Sequence, residues 1–198
     1  PFAHYLAVAR GGWRCLINDP QVRLFLLLVA GLIILLSWYL THSGQAFGNA
    51  FRQSSFNAVS IMTGTGYVSA NYSAWGGFAS TILLMAMSIG GCGGSTTCGI
   101  KVFRLQVLAA TVRVQISRLL RPHAVVLAYY NRRPVNQEVM DSVMGFFYLY
   151  ILGFVLIATL LGLMGLDFVT ALSGAATSIS NVGPGLGEVI GADGNFSS

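Results

Sequence analysis

The chain has 198 residues, of which 55% are hydrophobic and only 9% charged; its mean hydropathy is +0.69 and its formal net charge +5. A soluble domain carries about a quarter charged residues, so this composition excludes an ordinary water-soluble domain and indicates a membrane protein. The positive charge reads as membrane topology, and without base-reading or aromatic context around the basic residues, nucleic-acid binding is set aside.

Residues 1–22 read as a cytoplasmic linker segment, and Pro1 stands where an initiator Met would, which predicts a start internal to a longer protein. Next come an almost unbroken apolar run at 24–40 and, later, a longer one at 143–164. Both reach or approach the roughly 17 to 25 residues of a spanning helix. Neither is a signal peptide, because the first begins too far in and no small-residue cleavage site follows it. Of eleven Lys and Arg, ten lie before Leu24 (Arg10, Arg14, Arg23) or within 101–133 (Lys101, Arg104, Arg113, Arg118, Arg121, Arg132, Arg133). The positive-inside rule places those stretches in the cytoplasm. Arg52 is the exception.

A segment over 49–62, with Asn49 placed to cap it, is too short to span and ends in Thr63-Gly64-Thr65-Gly66-Tyr67. The same order recurs after the second long run: Asp167 as a cap, a short segment over 168–179, then Ser180-Asn181-Val182-Gly183-Pro184-Gly185. Setting Gly66 on Gly183 also aligns Leu24 with Asp141, Phe51 with Phe168 and Ala58 with Ala175. A polar loop at membrane depth is tolerated only where protein or a water-filled path satisfies its backbone. Both short segments are predicted to enter from outside and aim the negative ends of their dipoles inward. Paired loops of this kind predict cation coordination.

Between the two units, the apolar stretch 78–89 covers only about 18 Å of a core about 30 Å thick. It gives way to Gly90-Gly91-Cys92-Gly93-Gly94-Ser95-Thr96-Thr97-Cys98-Gly99, and a helical, basic pattern resumes at Ile100-Lys101. Each glycine costs a helix about 1 kcal/mol relative to Ala, so four in five positions predict an intramembrane break. Gly94 and Gly99 have the spacing of a phosphate loop, but Ile100-Lys101 follows where Lys then Ser or Thr is required. Gly90 and Gly94 form a helix-packing G-x-x-x-G pair, which leaves Ser95-Thr96-Thr97 unexplained. Cys15, Cys92 and Cys98 are too few for a disulfide framework; Cys92 and Cys98 read as small packing residues. No nucleophile, paired-carboxylate or metal-ligand constellation is present, and His4, His42 and His123 are scattered, so an enzyme is not expected.

Taken together, 60–67, 90–101, 181–187, His4-Tyr5-Leu6, Asp19-Pro20 and Arg121-Pro122-His123-Ala124-Val125 resemble the Trk/Ktr superfamily of potassium-translocating membrane subunits. The TrkH/TrkG branch is the nearest match. The resemblance spans essentially the whole chain. It implies an all-α polytopic membrane protein in which four unequal units, each a helix, a re-entrant pore loop and a second helix, surround one pore. By it, 23–118 is the third repeat, with pore helix 49–62, filter 63–67 and broken second helix 77–118. Residues 119–140 are a cytoplasmic linker, and 141–198 are a partial fourth repeat with pore helix 168–179, filter 180–187 and its last helix missing.

The resemblance further implies K+ uptake, with coordination by the backbone carbonyls of Thr63, Gly64, Thr65 and Gly66 and of Ser180, Asn181, Val182 and Gly183. A carbonyl ring replaces the hydration shell of K+ without the tight grip of carboxylates. Gly90, Gly91, Gly93, Gly94, Ser95, Thr96, Thr97 and Gly99 are the implied gate, with Lys101 at its cytoplasmic end. Lys101 has three readings: repelling cations, tethering the loop to a carbonyl, or snorkelling to the interface. Implied partners are a second copy of the chain in a homodimer and a cytosolic nucleotide-binding regulatory ring on the basic face. No covalent cofactor is implied, and the setting is the bacterial inner membrane, crossed several times. Three departures stand out: Gly64 where the family usually has Thr, Cys98 where it usually has Gly, and an end at Ser198 that omits a basic residue below the filter. The competing reading is a non-conducting receptor-like or assembly subunit that keeps the pore scaffold.

Overall fold

The structure, a computed structural model, describes residues 19–121, 129–130 and 133–186. The expectations for His4, Arg10, Arg14, Cys15, His123, Arg132 and Gly187 lie outside the described residues.

Helix α1 spans Pro20–His42 and begins four residues before the apolar run that predicted it. The reason is a cap: the Asp19 carboxylate accepts from the Gln21 amide at 2.7 Å, and Pro20 at the first position has no amide to satisfy. Helix α2, Phe47–Thr63, packs back on α1 through a buried Ser37–Ser54 hydroxyl pair at 2.5 Å. Here the expected Asn49 cap is not found. Ala46 sits at the cap position with no side-chain bond, and Asn49 lies within the first turn, its amide donating to the Ala46 carbonyl at 3.0 Å. The helix starts earlier than the polar residue that seemed to announce it.

A 3₁₀ turn at Tyr72–Trp75 leads to α3, Gly77–Ser88, and after a break α4 covers Val102–Leu120. A two-residue hairpin follows, β1 Tyr129–Tyr130 antiparallel to β2 Arg133–Pro134. Helix α5, Gln137–Leu163, and helix α6, Phe168–Ser180, repeat the order of α1 and α2. Asp167 caps α6, its carboxylate accepting from the Val169 amide at 3.3 Å.

One apolar cluster holds the fold. Leu36, Leu40, Ile61, Met62, Leu83 and Met87 from α1, α2 and α3 are joined by Ala176, Val182 and Leu186 from the second unit. The core is therefore shared between units that lie far apart in sequence. Helix α5 is different: Val143 is its buried residue, whereas Tyr148, Leu149, Ile151, Leu152, Val155, Leu156 and Leu160 are exposed. Each such side chain left in water forgoes about 1.5–3 kcal/mol of burial, so this face requires lipid or more protein. By length and composition, α1 and α5 can each cross a membrane.

Candidate functional site: two polar loops and a glycine-rich break

Both short helices end in the same way. Helix α2 closes on Gly64 in the left-handed region (φ 68°, ψ 25°), and α6 closes on Asn181 there (φ 48°, ψ 45°). Next in each loop comes a backbone bond to the helix: the Thr65 amide donates to the Ser60 carbonyl at 2.9 Å, and the Val182 amide to the Thr177 carbonyl at 3.3 Å. Then comes a positive-φ glycine, Gly66 at 80° and Gly183 at 102°. An offset of 117 residues pairs all three features, Gly64 with Asn181, Thr65 with Val182 and Gly66 with Gly183.

These loops touch. A β-carbon on Gly66 would stand 2.5 Å from the Val182 carbonyl oxygen and 3.3 Å from Pro184 Cδ, and one on Gly183 would stand 3.8 Å from the Gly66 α-carbon. Only glycine fits at 66, for the space and for the dihedral alike. No side chain in 63–66 or 180–183 carries a charge, so the electrostatics of both loops are those of carbonyls and hydroxyls. Thr63 and Thr65 share a hydroxyl bond at 2.7 Å. Ser180 turns away, its hydroxyl 2.9 Å from Tyr150 Oη on α5.

Side chains that sequence reasoning passed over stand behind the loops. Asn57, fully buried on α2, accepts from the Ser69 amide at 3.2 Å and donates to Ser69 Oγ at 3.0 Å. On α6, Ser173 Oγ accepts from the Leu186 amide at 3.0 Å, and Thr177 Oγ1 accepts from the Gly183 amide at 2.9 Å. The 117-residue offset pairs Ser60 with Thr177, hydroxyl for hydroxyl, and that match was the available signal for Thr177; Asn57 and Ser173 pair with Gly174 and Phe56 and had none.

Between Ser88 and Val102 the chain leaves the helix but stays hydrogen-bonded. The Gly90 amide donates to Ile100 O at 2.9 Å, the Ile100 amide to Ser88 O at 2.9 Å, and the Val102 amide to Gly91 O at 3.2 Å. These bonds knot both ends of the break together. Lys101 Nζ donates to the Ser95 carbonyl at 2.6 Å, the tethering arrangement among its three readings. The Ser95 hydroxyl bridges to Cys92 O and Thr97 Oγ1 at 2.6 and 2.9 Å. Gln21 at the start of α1 accepts from the Gly93 amide at 2.8 Å. Gly94, Thr96 and Cys98 are exposed, while Ser95 and Thr97 are half-buried. The tip of Thr97 reaches the first polar loop, since a β-carbon on Gly64 would lie 3.2 Å from Thr97 Cγ2. Thus the structure brings all three predicted loops together, with the glycine-rich one against the first polar loop.

Residues 11–197 match the profile of the TrkH family, described as cation transport proteins. The chain belongs to the TrkH family. It is 42% identical over 197 residues to the Trk system potassium uptake protein TrkI of Halomonas elongata, covering 99% of this chain and 40% of that protein. To the Trk system potassium uptake protein TrkH of Vibrio parahaemolyticus it is 36% identical over 196 residues, covering 94% and 39%. The crystal structure of the potassium transporter TrkH from Vibrio parahaemolyticus superposes with a TM-score of 0.85 at 33% identity, over 96% of this chain and 43% of that one. The chain thus spans about two fifths of the length of these relatives.

Membership gives the exposed α5 face of this TrkH-family chain its setting, a membrane protein of all-α transporter fold. At the end of the molecule that carries the basic helix α4, Arg104 lies 3.6 Å over the Phe146 ring of α5, and Phe103 meets Tyr130 edge to face at 5.4 Å. Burial pushes the Tyr130 phenol up from its ordinary range.

Proposed function

We propose that this chain supplies two quarters of a K+ uptake pathway, the third repeat and part of the fourth, in a multi-pass protein of the bacterial inner membrane. In this reading the carbonyls of Thr63 to Gly66 and Ser180 to Gly183 replace the water around K+. The Gly90–Gly99 loop beneath them is the gate, tethered by Lys101. The complete protein works as a homodimer with a cytosolic nucleotide-binding ring on its basic face. The observation that carries the proposal is the direct packing of two conformationally matched loops, Gly66 against Val182 and Gly183, where neither loop holds a charged side chain. A divalent-selective ring would use carboxylates, whereas uncharged oxygens suit a monovalent cation. The relatives' names, potassium uptake proteins, supply K+ over Na+.

The test is ion flux. The complete protein with Gly66→Asp or Gly183→Asp, reconstituted into liposomes, is expected to lose selective Rb+ uptake. Unchanged selective uptake in either variant would overturn the assignment.

A further inference from the structure

The two loops are alike in backbone but unlike in what anchors them. At the offset-paired positions Ser60 and Thr177, both backbone carbonyls accept from the loop, from Thr65 and Val182. Their hydroxyls then part company. Thr177 Oγ1 accepts from the Gly183 amide at 2.9 Å. Ser60 Oγ is buried and has no hydrogen-bond partner among the described residues, so the Gly66 amide is not held in the corresponding way.

A peptide unit is planar and trans, so its N–H and the preceding C=O point in opposite directions. Fixing one fixes the other. With the Gly183 N–H drawn back onto α6 by Thr177, the Val182 carbonyl is turned forward, where its oxygen lies 2.5 Å from the place a Gly66 β-carbon would occupy. Ser173 secures the next stretch by accepting from the Leu186 amide at 3.0 Å, so this loop is anchored on both sides of Gly183. In the first loop, Asn57 holds Ser69 at 3.2 Å, but among the described residues the Ser60 hydroxyl does not hold Gly66 as Thr177 holds Gly183.

We propose that Thr177 is a specificity-determining positioning residue: its hydroxyl orients the Val182 carbonyl and makes the second loop the rigid side of the ion path, leaving the Thr65–Gly66 peptide the compliant side. The inference rests on the reading of these loops as an ion-coordinating filter. In the snug-fit account of carbonyl filters, discrimination depends on how far the carbonyls can move to follow a smaller ion, and on that account freeing one carbonyl relaxes selection more than it reduces flux.

The experiment uses the complete protein in liposomes and measures K+ against Na+ inhibition of Rb+ uptake. Loss of the hydroxyl frees the Val182–Gly183 peptide, so Thr177→Val is expected to lower the K+-over-Na+ preference by about tenfold, about 1.4 kcal/mol. Thr177→Ser, which keeps the hydroxyl, is expected to retain it within about twofold. Ser60→Ala is expected to leave the preference unchanged. Should the Val variant fail to insert, Thr177→Cys, similar in size but a weak acceptor, reads the same ratio. A wild-type preference in Thr177→Val or Thr177→Cys, or an equal loss in Ser60→Ala, overturns the inference. Gly183→Asp separates the two levels. If it abolishes uptake while Thr177→Val keeps the preference, only the role of Thr177 fails; if it leaves uptake selective, the filter reading itself fails.

Discussion

A β-carbon on Gly66 would stand 2.5 Å from the carbonyl oxygen of Val182, a backbone atom on a loop contributed by a different unit of the chain. Backbone cannot step aside as a flexible side chain can. Gly66→Ala therefore meets a collision and a φ of 80°, a left-handed conformation that costs an L-residue about 1–2 kcal/mol. Both effects act where the loops meet. K+ uptake by the complete protein is expected to fall by at least about tenfold, given a combined cost above about 1.4 kcal/mol. Uptake within twofold of wild type, with normal membrane insertion, would show that the contact is dispensable.

The Lys101–Ser95 bond makes a second prediction. Hydrogen bonds to charged groups contribute about 1.5–3 kcal/mol, and Lys101→Met keeps the aliphatic stem while removing this one. If the bond holds the glycine-rich loop closed, Rb+ flux without the cytosolic regulator is expected to rise by about tenfold or more. Lower flux would instead support a role in keeping the ion path open.

Cys98 offers a chemical probe. It is an exposed free thiol, whereas Cys92 is only partly exposed. Under the proposed gate, Cys98 borders the ion path, so a bulky cationic methanethiosulfonate reagent is expected to reduce Rb+ flux. Cys98→Gly is expected to be insensitive. Equal sensitivity of the two proteins would place the reactive thiol elsewhere.

The caps differ in a way that thermal unfolding in detergent can read. Asp167 binds the Val169 amide, so Asp167→Ala is expected to cost about 1 kcal/mol and lower Tm. Asn49, exposed and inside the first turn of α2, makes no cap bond, so Asn49→Ala is expected to leave Tm within about a degree. A larger loss for Asn49→Ala would show that it has a partner beyond the described residues.

Much of this arrangement was legible in the sequence because hydrophobic runs and glycine clusters are local signals. Residues 24–40 and 143–164 fall inside α1 and α5 but for Met164, and the ten residues from Gly90 to Gly99 interrupt the helix between α3 and α4. The Gly66–Gly183 offset also predicted equivalence down to the left-handed residues Gly64 and Asn181. What escaped notice was non-local. Asn57, Ser173 and Thr177 look like ordinary polar interruptions of apolar helices until the chain folds each one against an amide six to thirteen residues on. Gln21 is harder still, since its partner Gly93 is 72 residues away. The Asn49 error has the opposite cause: a residue with good capping chemistry stood two places inside a helix that Phe47 had already begun.

The shared core has a consequence for how the molecule is made. Leu186 is buried in the cluster built by α1, α2 and α3, and it is synthesised 66 residues after Leu120, where α4 ends. At about 5–20 residues per second, a ribosome needs roughly 3–13 seconds to reach it. Until then α1, α2 and α3 cannot complete the cluster that Val182 and Leu186 fill. The packing of the first unit is thus finished only after the second is made, and the later unit is the one that closes the earlier.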